Sequence, residues 1–92
     1  MPYIAKENRR YYQSALVSMA NTLAEREWNK GEFNYCISTL LNCWVKEKGR
    51  SYDTLSNITG VLNDIKVEFE RKVVAIHEEK KIKENGPVYP EE

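Results

Sequence analysis

The sequence predicts an all-α protein of three helices, the last of them long, assembled as a homo-oligomeric helical bundle. Apolar residues recur three and four positions apart through most of the chain, which is the spacing of one helix face. Glycine and proline are sparse, and Gly60 is the one breaker inside a periodic segment. No segment carries a β-hairpin signal. The 92 residues suit a single domain that spans residues 1–92.

The first helix is predicted from about residue 6 to residue 27, where residues 29–31 end it. Its apolar face comprises Tyr12, Ala15, Leu16, Met19 and Leu23. The second helix is predicted from residue 32 to residue 48, because Gly49 suits the left-handed position that follows many helices. Its apolar side comprises Phe33, Ile37, Leu40, Leu41, Trp44 and Val45.

The third helix is predicted from about residue 52 to residue 83. Ser51 is its expected N-cap, and Asp53 in the first turn suits the helix dipole. Its apolar residues follow a heptad spacing that Lys72 interrupts once: Leu55, Ile58, Leu62, Ile65, Phe69 and Ile76. Gly60 indicates either a bend or a close helix–helix crossing.

The length of the third helix predicts self-assembly. It would be near 48 Å long, whereas the first two helices would reach about 33 Å and 26 Å. Two shorter helices cannot cover the whole apolar face, so Phe69, Val73 and Ile76 need another partner. A second copy of the chain is the favoured source, and a break near His77 that folds the end back is the alternative.

A tail is predicted from about residue 84. The pair Asn85-Gly86 predicts a turn, and Val88 and Tyr89 offer apolar mass that can pack back on the helix. A disordered tail is the alternative.

Charge and composition exclude several classes of protein. Fourteen basic residues balance fourteen acidic ones, which argues against a general nucleic-acid binder. No apolar run approaches the roughly 18 residues of a membrane span, and the N-terminus lacks a signal peptide's apolar core. Helical spacing puts Cys36 and Cys43 about 10 Å apart, too far for a disulfide. We therefore expect a cytoplasmic protein with two small buried thiols and no membrane partner.

No motif predicts a catalytic residue, a cofactor or a metal. Phosphate-binding glycine loops are absent, and His77 is interpreted as part of a charged helix end. Four carboxylates invite comparison with the Mg²⁺ arrays of helical nucleotide hydrolases: Glu68, Glu70, Glu78 and Glu79. Each has a lysine or arginine nearby, which is typical of a solvated face. A Mg²⁺-dependent nucleotide hydrolase is therefore the weaker alternative to a protein without catalysis.

Two clusters suggest binding. Near the start of the first helix, Arg9 and Arg10 stand beside Tyr12, and arginine and tyrosine suit a phosphate and a base face respectively. The alternative is a basic surface turn whose Tyr12 enters the core. Asn34 and Tyr35 are predicted to open the second helix, where free N–H groups attract an anion. Here the alternative is that Asn34 contributes to capping and Tyr35 packs.

Several segments together resemble a small all-helical family of tailed bacteriophages and their bacterial hosts. The resembling residues are Met1-Pro2-Tyr3-Ile4, Gly31-Glu32, Asn34-Tyr35, Ile37, Leu40-Leu41, Ser51-Tyr52-Asp53-Thr54, Ile58, Gly60-Val61-Leu62, Lys66, Glu68-Phe69, Arg71, Lys80-Lys81-Ile82, Glu84-Asn85-Gly86 and Val88-Tyr89. The resemblance brings no established activity. Where members carry Pro-Tyr ahead of an acidic pair, this chain has Ile76-His77.

The resemblance implies a setting in which small proteins act on the host as inhibitors, adaptors or oligomeric sponges for nucleotide immune signals. The matching polar residues Asn34, Tyr35, Arg71 and Asn85 would meet across an oligomer and form a pocket for a small anion. We expect a non-catalytic oligomer that binds or sequesters a nucleotide-like ligand, with a cyclic nucleotide signal as an example. A host-directed protein-interaction module with an exposed helix face is the alternative.

One pocket is expected to combine Arg71 and Tyr35, which both lie off the apolar faces of their helices. The competing interpretation is that Arg71 pairs with Glu68 or Asp64 on its own helix and that Tyr35 packs in the core.

Overall fold

The computed structural model describes residues 3–90 as helices joined by short turns, and no strand occurs within that range. The helices are α1, Lys6–Glu25; α2, Lys30–Lys48; and α3, Tyr52–Phe69. A π-helical turn, Glu70–Val74, continues α3 into α4, Ala75–Asn85, so that the last helix runs for 34 residues. The predicted all-α class with a long last helix is confirmed.

The packing of the chain divides into two units between Ile58 and Thr59. The first unit contains α1, α2 and the start of α3, and its core is very small. Leu23 and Ile58 are its buried apolar side chains, and Thr54 is buried with them. Most of the apolar residues predicted to form the inner faces of α1 and α2 remain partly or largely exposed. The hairpin of α1 and α2 therefore holds little apolar surface away from water.

The helix α1 ends in backbone hydrogen bonds that the residues after it donate to carbonyl groups of its last turn. The N–H of Trp28 donates to the carbonyl of Leu23 at 2.8 Å, and the N–H of Glu27 donates to that of Ala24 at 3.0 Å. Glu27 and Trp28 both take positive φ angles, 59° and 53°. This pattern is a Schellman motif, which usually has glycine where this chain has Glu27. Because the motif begins before residue 27, α1 ends earlier than predicted.

The second helix begins two residues earlier than predicted because Asn29 caps it. The Oδ1 atom of Asn29 accepts the Glu32 N–H at 3.1 Å. Gly31 lies inside the helix, and a Cβ there would stand 3.3 Å from that Oδ1 atom. Glu32 also accepts two hydrogen bonds from the Arg26 guanidinium, at 2.9 and 3.1 Å, which join the end of α1 to the start of α2.

The connection from α2 to α3 follows the sequence prediction. Gly49 ends α2 with a φ of 91°, and its N–H donates to the carbonyl of Val45 at 2.8 Å. Glycine is favoured there because a Cβ penalises a positive φ. The Oγ atom of Ser51 accepts the Thr54 N–H at 3.1 Å, so Ser51 is the N-cap of α3.

The second unit consists of the rest of the long helix and its tail. It carries an apolar stripe of Ile65, Phe69, Val73 and Ile76, whose exposed fractions lie between 51% and 57%. The π-helical turn changes the predicted heptad, because such a turn holds one extra residue. Val73 follows Phe69 along the stripe in place of Lys72. Ile76 is rotated by about 100° from its place in an unbroken α-helix, so it lies at the edge of the stripe, next to Val73.

The long helix continues past both Gly60 and His77. A break near His77 is wrong, because α4 runs without interruption from Ala75 to Asn85. Gly60 lies inside α3, and no described atom beyond its own helical turns comes within 4 Å of where a Cβ would stand. A close crossing at Gly60 is therefore absent from residues 3–90.

The two cysteines are free, as predicted. Their predicted burial is wrong for Cys43, which is exposed, and Cys36 is only half-buried. The face of α2 that carries Cys43 has no cover in the described part of the chain, so helical spacing alone could not establish its burial.

The tail begins at Gly86, directly after α4 ends at Asn85. Gly86 takes a φ of 87°, and its N–H donates to the carbonyl of Ile82 at 2.8 Å, which is the predicted turn. Val88 and Tyr89 stay 85% and 69% exposed, so the tail removes little apolar surface from water. No helix in residues 3–90 combines the length and the apolar character that crossing a membrane requires.

Candidate functional site

A concave surface of about 510 Å³ lies beside the start of α1 and is the first candidate site. We call it the N-terminal hollow, and its lining residues are Tyr3, Ile4, Arg9, Tyr12, Gln13 and Leu16. Two of the predicted binding residues, Arg9 and Tyr12, meet there. Tyr12 is 57% exposed, so the alternative that it enters the core is wrong.

Arg9 is held at the N-terminal hollow by the main chain. Its Nε atom donates to the carbonyl of Ile4 at 3.2 Å, which ties the extended N-terminal stretch to the first turns of α1. A guanidinium has five N–H donors, so this bond leaves others that can reach a ligand. The backbone bond thus holds a cation in the lining that Arg9 shares with Tyr12.

Arg10 lies outside the lining of the N-terminal hollow. Its guanidinium carbon stands 5.2 Å from the centre of the Tyr11 ring, which is a cation–π contact on the surface. Adjacent helical residues project about 100° apart, which explains why Arg9 lines the hollow and Arg10 does not.

Asn34 and Tyr35 do not open α2. The helix begins at Lys30, so both residues lie past the first turn, whose N–H groups are the unbonded ones. Asn34 accepts a hydrogen bond from the Ser38 hydroxyl at 3.0 Å, and the carbonyl of Tyr35 accepts one from Thr39 at 2.8 Å. The predicted position of these two residues at the start of the helix is therefore wrong, and their role in binding stays a prediction. Tyr35 is 71% exposed, so the alternative that it packs in the core is wrong as well.

Arg71 forms an ion pair with Glu68 at 3.2 Å, one turn back on its own helix. This is the pairing that competed with a ligand role for Arg71. Tyr35 belongs to the first unit and Arg71 to the second, so a pocket that joins them stays a prediction.

Asn85 lies at a second concave surface, the tail hollow, with a volume of about 470 Å³. Its lining residues are Glu78, Lys81, Ile82, Asn85, Gly86, Val88 and Tyr89. Lys81 pairs with Glu84 at 3.3 Å. The carboxylates of Glu78 and Glu84 weaken the positive electrostatic potential that an anion would meet at the tail hollow. The N-terminal hollow therefore suits an anion better.

A third surface was missed by the sequence analysis. The hairpin groove, of about 200 Å³, lies along α1 and α2, and every residue that lines it lacks a charge: Leu16, Met19, Ala20, Leu23, Trp28, Phe33, Cys36, Ile37 and Leu40. Trp28 enters the groove because the Schellman motif turns the chain there. The periodic spacing correctly indicated the apolar faces of α1 and α2, but the sequence analysis assigned these faces to the protein core.

A clear electrostatic perturbation lies at the junction of α1 and α2. The hydrogen bonds from the Arg26 guanidinium lower the pKa of the Glu32 carboxyl, and the same bonds raise the pKa of Arg26. Within residues 3–90, no group of three histidine, cysteine or carboxylate side chains is placed to hold a metal ion.

Comparison with known proteins gives one match. A family model described as "Domain of unknown function (DUF6899)" matches residues 1–88. Neither the comparison with curated proteins nor the comparison with solved structures returns a match. The matched range contains every residue of the N-terminal hollow and of the hairpin groove.

Proposed function

This chain belongs to the DUF6899 family, and we propose that it is a non-catalytic binding protein, assembled from copies of itself, that holds a small nucleotide-like anion. The observation that carries the ligand proposal is the N-terminal hollow, whose lining brings together Arg9, Tyr3 and Tyr12. A guanidinium binds phosphate through paired N–H donors, and a phenol ring stacks on a base.

The start of α1 supports an anion in the N-terminal hollow. Lys6, Arg9 and Arg10 outnumber the single acidic residue of this stretch, Glu7. No side chain caps the start of α1, where Ala5 occupies the N-cap position. The first N–H groups of a helix and its dipole both favour a negative charge nearby.

The exposed apolar side chains support assembly. Ile65, Phe69 and Val73 are each at least half exposed, and burying one large apolar side chain contributes roughly 1.5–3 kcal/mol. With Leu23 and Ile58 as the buried apolar residues, a single chain has little such stabilisation to offset its conformational entropy. A second copy would supply the missing cover.

The setting of this function follows the resemblance to small proteins of tailed bacteriophages. We propose that the ligand is a nucleotide immune signal, such as a cyclic nucleotide, which the protein sequesters in the cytoplasm of the host cell. In an assembly, Asn34, Tyr35, Arg71 and Asn85 could line a further pocket between copies, and this stays a prediction.

A host-directed protein-interaction module is the second candidate. The hairpin groove favours it, because exposed Trp28 and Phe33 side chains in an uncharged groove suit the apolar face of a partner helix. An assembly that binds no nucleotide would favour this candidate over the first.

The nucleotide proposal is tested by calorimetric titration of the assembled protein with a cyclic dinucleotide, a cyclic mononucleotide and ATP. We expect one of these probes to bind, and Arg9→Ala to weaken binding by about 1.5–3 kcal/mol, which is roughly 10- to 150-fold. The matched control is Arg10→Ala, which removes the neighbouring guanidinium outside the hollow and should change binding much less.

Equal losses in the two arginine variants, or no binding by the unchanged protein, would contradict the site. Mass spectrometry of the nucleotide after incubation with and without Mg²⁺ separates binding from hydrolysis. Recovery of the intact nucleotide in both samples is expected, and a Mg²⁺-dependent product would indicate the hydrolase alternative.

A further inference from the structure

We propose that the hairpin groove of one copy receives the apolar stripe of a second copy. This inference rests on the assembly in the proposed function, and it names the two surfaces that meet. It does not depend on the nucleotide.

The hairpin groove is built to take a helix. Two parallel rows of apolar side chains line it, one row from α1 and one from α2, and no charged residue interrupts them. Leu16, Trp28 and Leu40 are each more than half exposed, so the described part of the chain leaves the groove open. An amphipathic helix fills such a groove with anchors spaced three or four residues apart.

The apolar stripe has that spacing. Ile65, Phe69 and Val73 stand four residues apart, and Ile76 follows three residues later. Nothing among residues 3–90 covers them, since each is at least half exposed.

The π-helical turn favours the groove over a second stripe as the partner. Two long helices that pair as a coiled coil interlock best over an unbroken 3.5-residue repeat, and an inserted residue locally changes their winding. The repeat ends at Phe69, because the turn Glu70–Val74 adds one residue. A stripe paired with its own copy would lose register at Val73, and both hairpin grooves would remain open. The hairpin groove can hold the stripe without a heptad repeat that continues across the π-helical turn.

Size and charge agree with this pairing. Nine large apolar side chains in the groove and the stripe, each between 38% and 65% exposed, offer on the order of 800 Å² per copy, which is what a stable interface buries. Beside the stripe, Lys66 forms an ion pair with Glu70, and Arg71 forms one with Glu68. Lys72 is the remaining basic residue of this segment. No ion pair within the described residues involves Lys72 or the two carboxylates at the turn end of the groove.

Those carboxylates are Glu25 and Glu27, and Lys30 is the one basic residue near them outside the Arg26–Glu32 pair. Each copy carries both a groove and a stripe, so a second copy offers a partner for each surface, and a contact made in both directions is a twofold one. This reciprocity identifies a second copy as the occupant.

A native cysteine makes the contact directly testable. Cys36 lines the groove, and Cys43 is exposed. In the full chain with Cys43→Ser, Val73→Cys places a second thiol on the stripe. A disulfide needs Cα atoms within about 7 Å, so mild oxidation reports contact and not mere proximity. We expect most of the protein to run as a covalent dimer on a denaturing, non-reducing gel, with peptide mapping showing Cys36 joined to the new cysteine.

The matched control is Arg71→Cys in the same background, which moves the thiol off the stripe within the same turn and should give no link to Cys36. A disulfide between two cysteines at position 73 would overturn the inference, and so would a Cys36 link within one chain. If the unchanged protein assembles but the Val73→Cys variant forms no link to Cys36, the inference is overturned while the assembly stands. An unchanged protein that stays a single chain contradicts both.

Charge exchange gives an independent measurement that requires no oxidation. Lys72→Glu should raise the dissociation constant of the dimer severalfold, and combining it with Glu27→Lys should restore most of that loss. A combined variant that is no tighter than the Lys72→Glu protein would contradict the predicted contact between Lys72 and the groove end.

Discussion

The hairpin of α1 and α2 and the second half of the long helix differ in how their structure is secured. In the hairpin, specific hydrogen bonds secure the helix ends: the Asn29 cap, the backbone bonds at Trp28 and the Arg26–Glu32 pair. In the second half of the long helix, ion pairs link residues three or four apart along the helix surface. Its apolar residues are as periodic as those of the hairpin, yet they lack cover.

This difference shows that periodicity and cover are separate properties. Both regions carry apolar residues at helical spacing, and both fold as helices. The hairpin buries Leu23 near its turn, whereas Phe69 is 57% exposed. Helical periodicity therefore identifies a face that needs a partner and does not say which molecule supplies it. Variants in each region can separate stability that arises within a chain from stability that arises between chains.

The largest effect is expected from Phe69→Ala. If Phe69 is fully buried between copies, the variant should lose about 3–5 kcal/mol of unfolding free energy in urea denaturation of the assembly. The control is Tyr52→Ala, which removes an aromatic ring that is 89% exposed and off the stripe. An equal loss in both variants, or no loss in the first, would contradict the role of the stripe.

The next effect compares two isoleucines on the same helix. Ile58 is buried within its own unit, so Ile58→Ala should cost about 2–5 kcal/mol at every protein concentration. Ile65 is 56% exposed, so Ile65→Ala should destabilise mainly through weaker assembly. Urea denaturation over a hundredfold range of protein concentration distinguishes the two. A concentration-dependent effect of the same size in both variants would contradict the comparison.

A smaller effect is expected at the start of α3. Ser51→Ala removes the oxygen that accepts the Thr54 N–H and should cost about 1 kcal/mol, as N-cap losses typically do. Ser51→Asp keeps an acceptor at the cap and serves as the control. Circular dichroism during urea denaturation measures both, and a loss in the aspartate variant as large as in the alanine variant would exclude the capping role.

The smallest effect concerns pH. The Arg26 guanidinium holds the pKa of Glu32 below its ordinary value, so the ionised carboxyl stabilises the fold above that value. This contribution should disappear as the pH falls through the lowered pKa of the folded state, in the acid range below roughly 4.3. Carboxyl chemical shifts measured by NMR should show the pKa of Glu32 rising in Arg26→Ala. An unchanged pKa would mean that the ion pair does not form in solution.

The sequence predicted the helices well because their determinants are local. Ser51 and Gly49 act at the positions that the sequence analysis assigned to them. The end of α1 could not be predicted, because Glu27 takes a backbone conformation that usually requires glycine. The π-helical turn was not predicted either, because nothing in residues 70–74 differs from an ordinary helical sequence.

The candidate site was predicted in part. Arg9 and Tyr12 lie together because they are three residues apart on one helix, which spacing alone predicts. The contribution of Tyr3 depends on the path of residues 3–5 beside α1, where the carbonyl of Ile4 accepts a hydrogen bond from Arg9. Asn34 was misplaced because the analysis took Gly31 as a break, whereas Asn29 caps the helix before it.

The mass of the protein in solution tests the central claim most directly, which is that the apolar surfaces of this chain are covered by a second copy. Native mass spectrometry and sedimentation velocity should both give a multiple of the chain mass of 10.8 kDa, and Phe69→Ala should shift the distribution toward that mass. A well-folded species of 10.8 kDa at every protein concentration would contradict the claim.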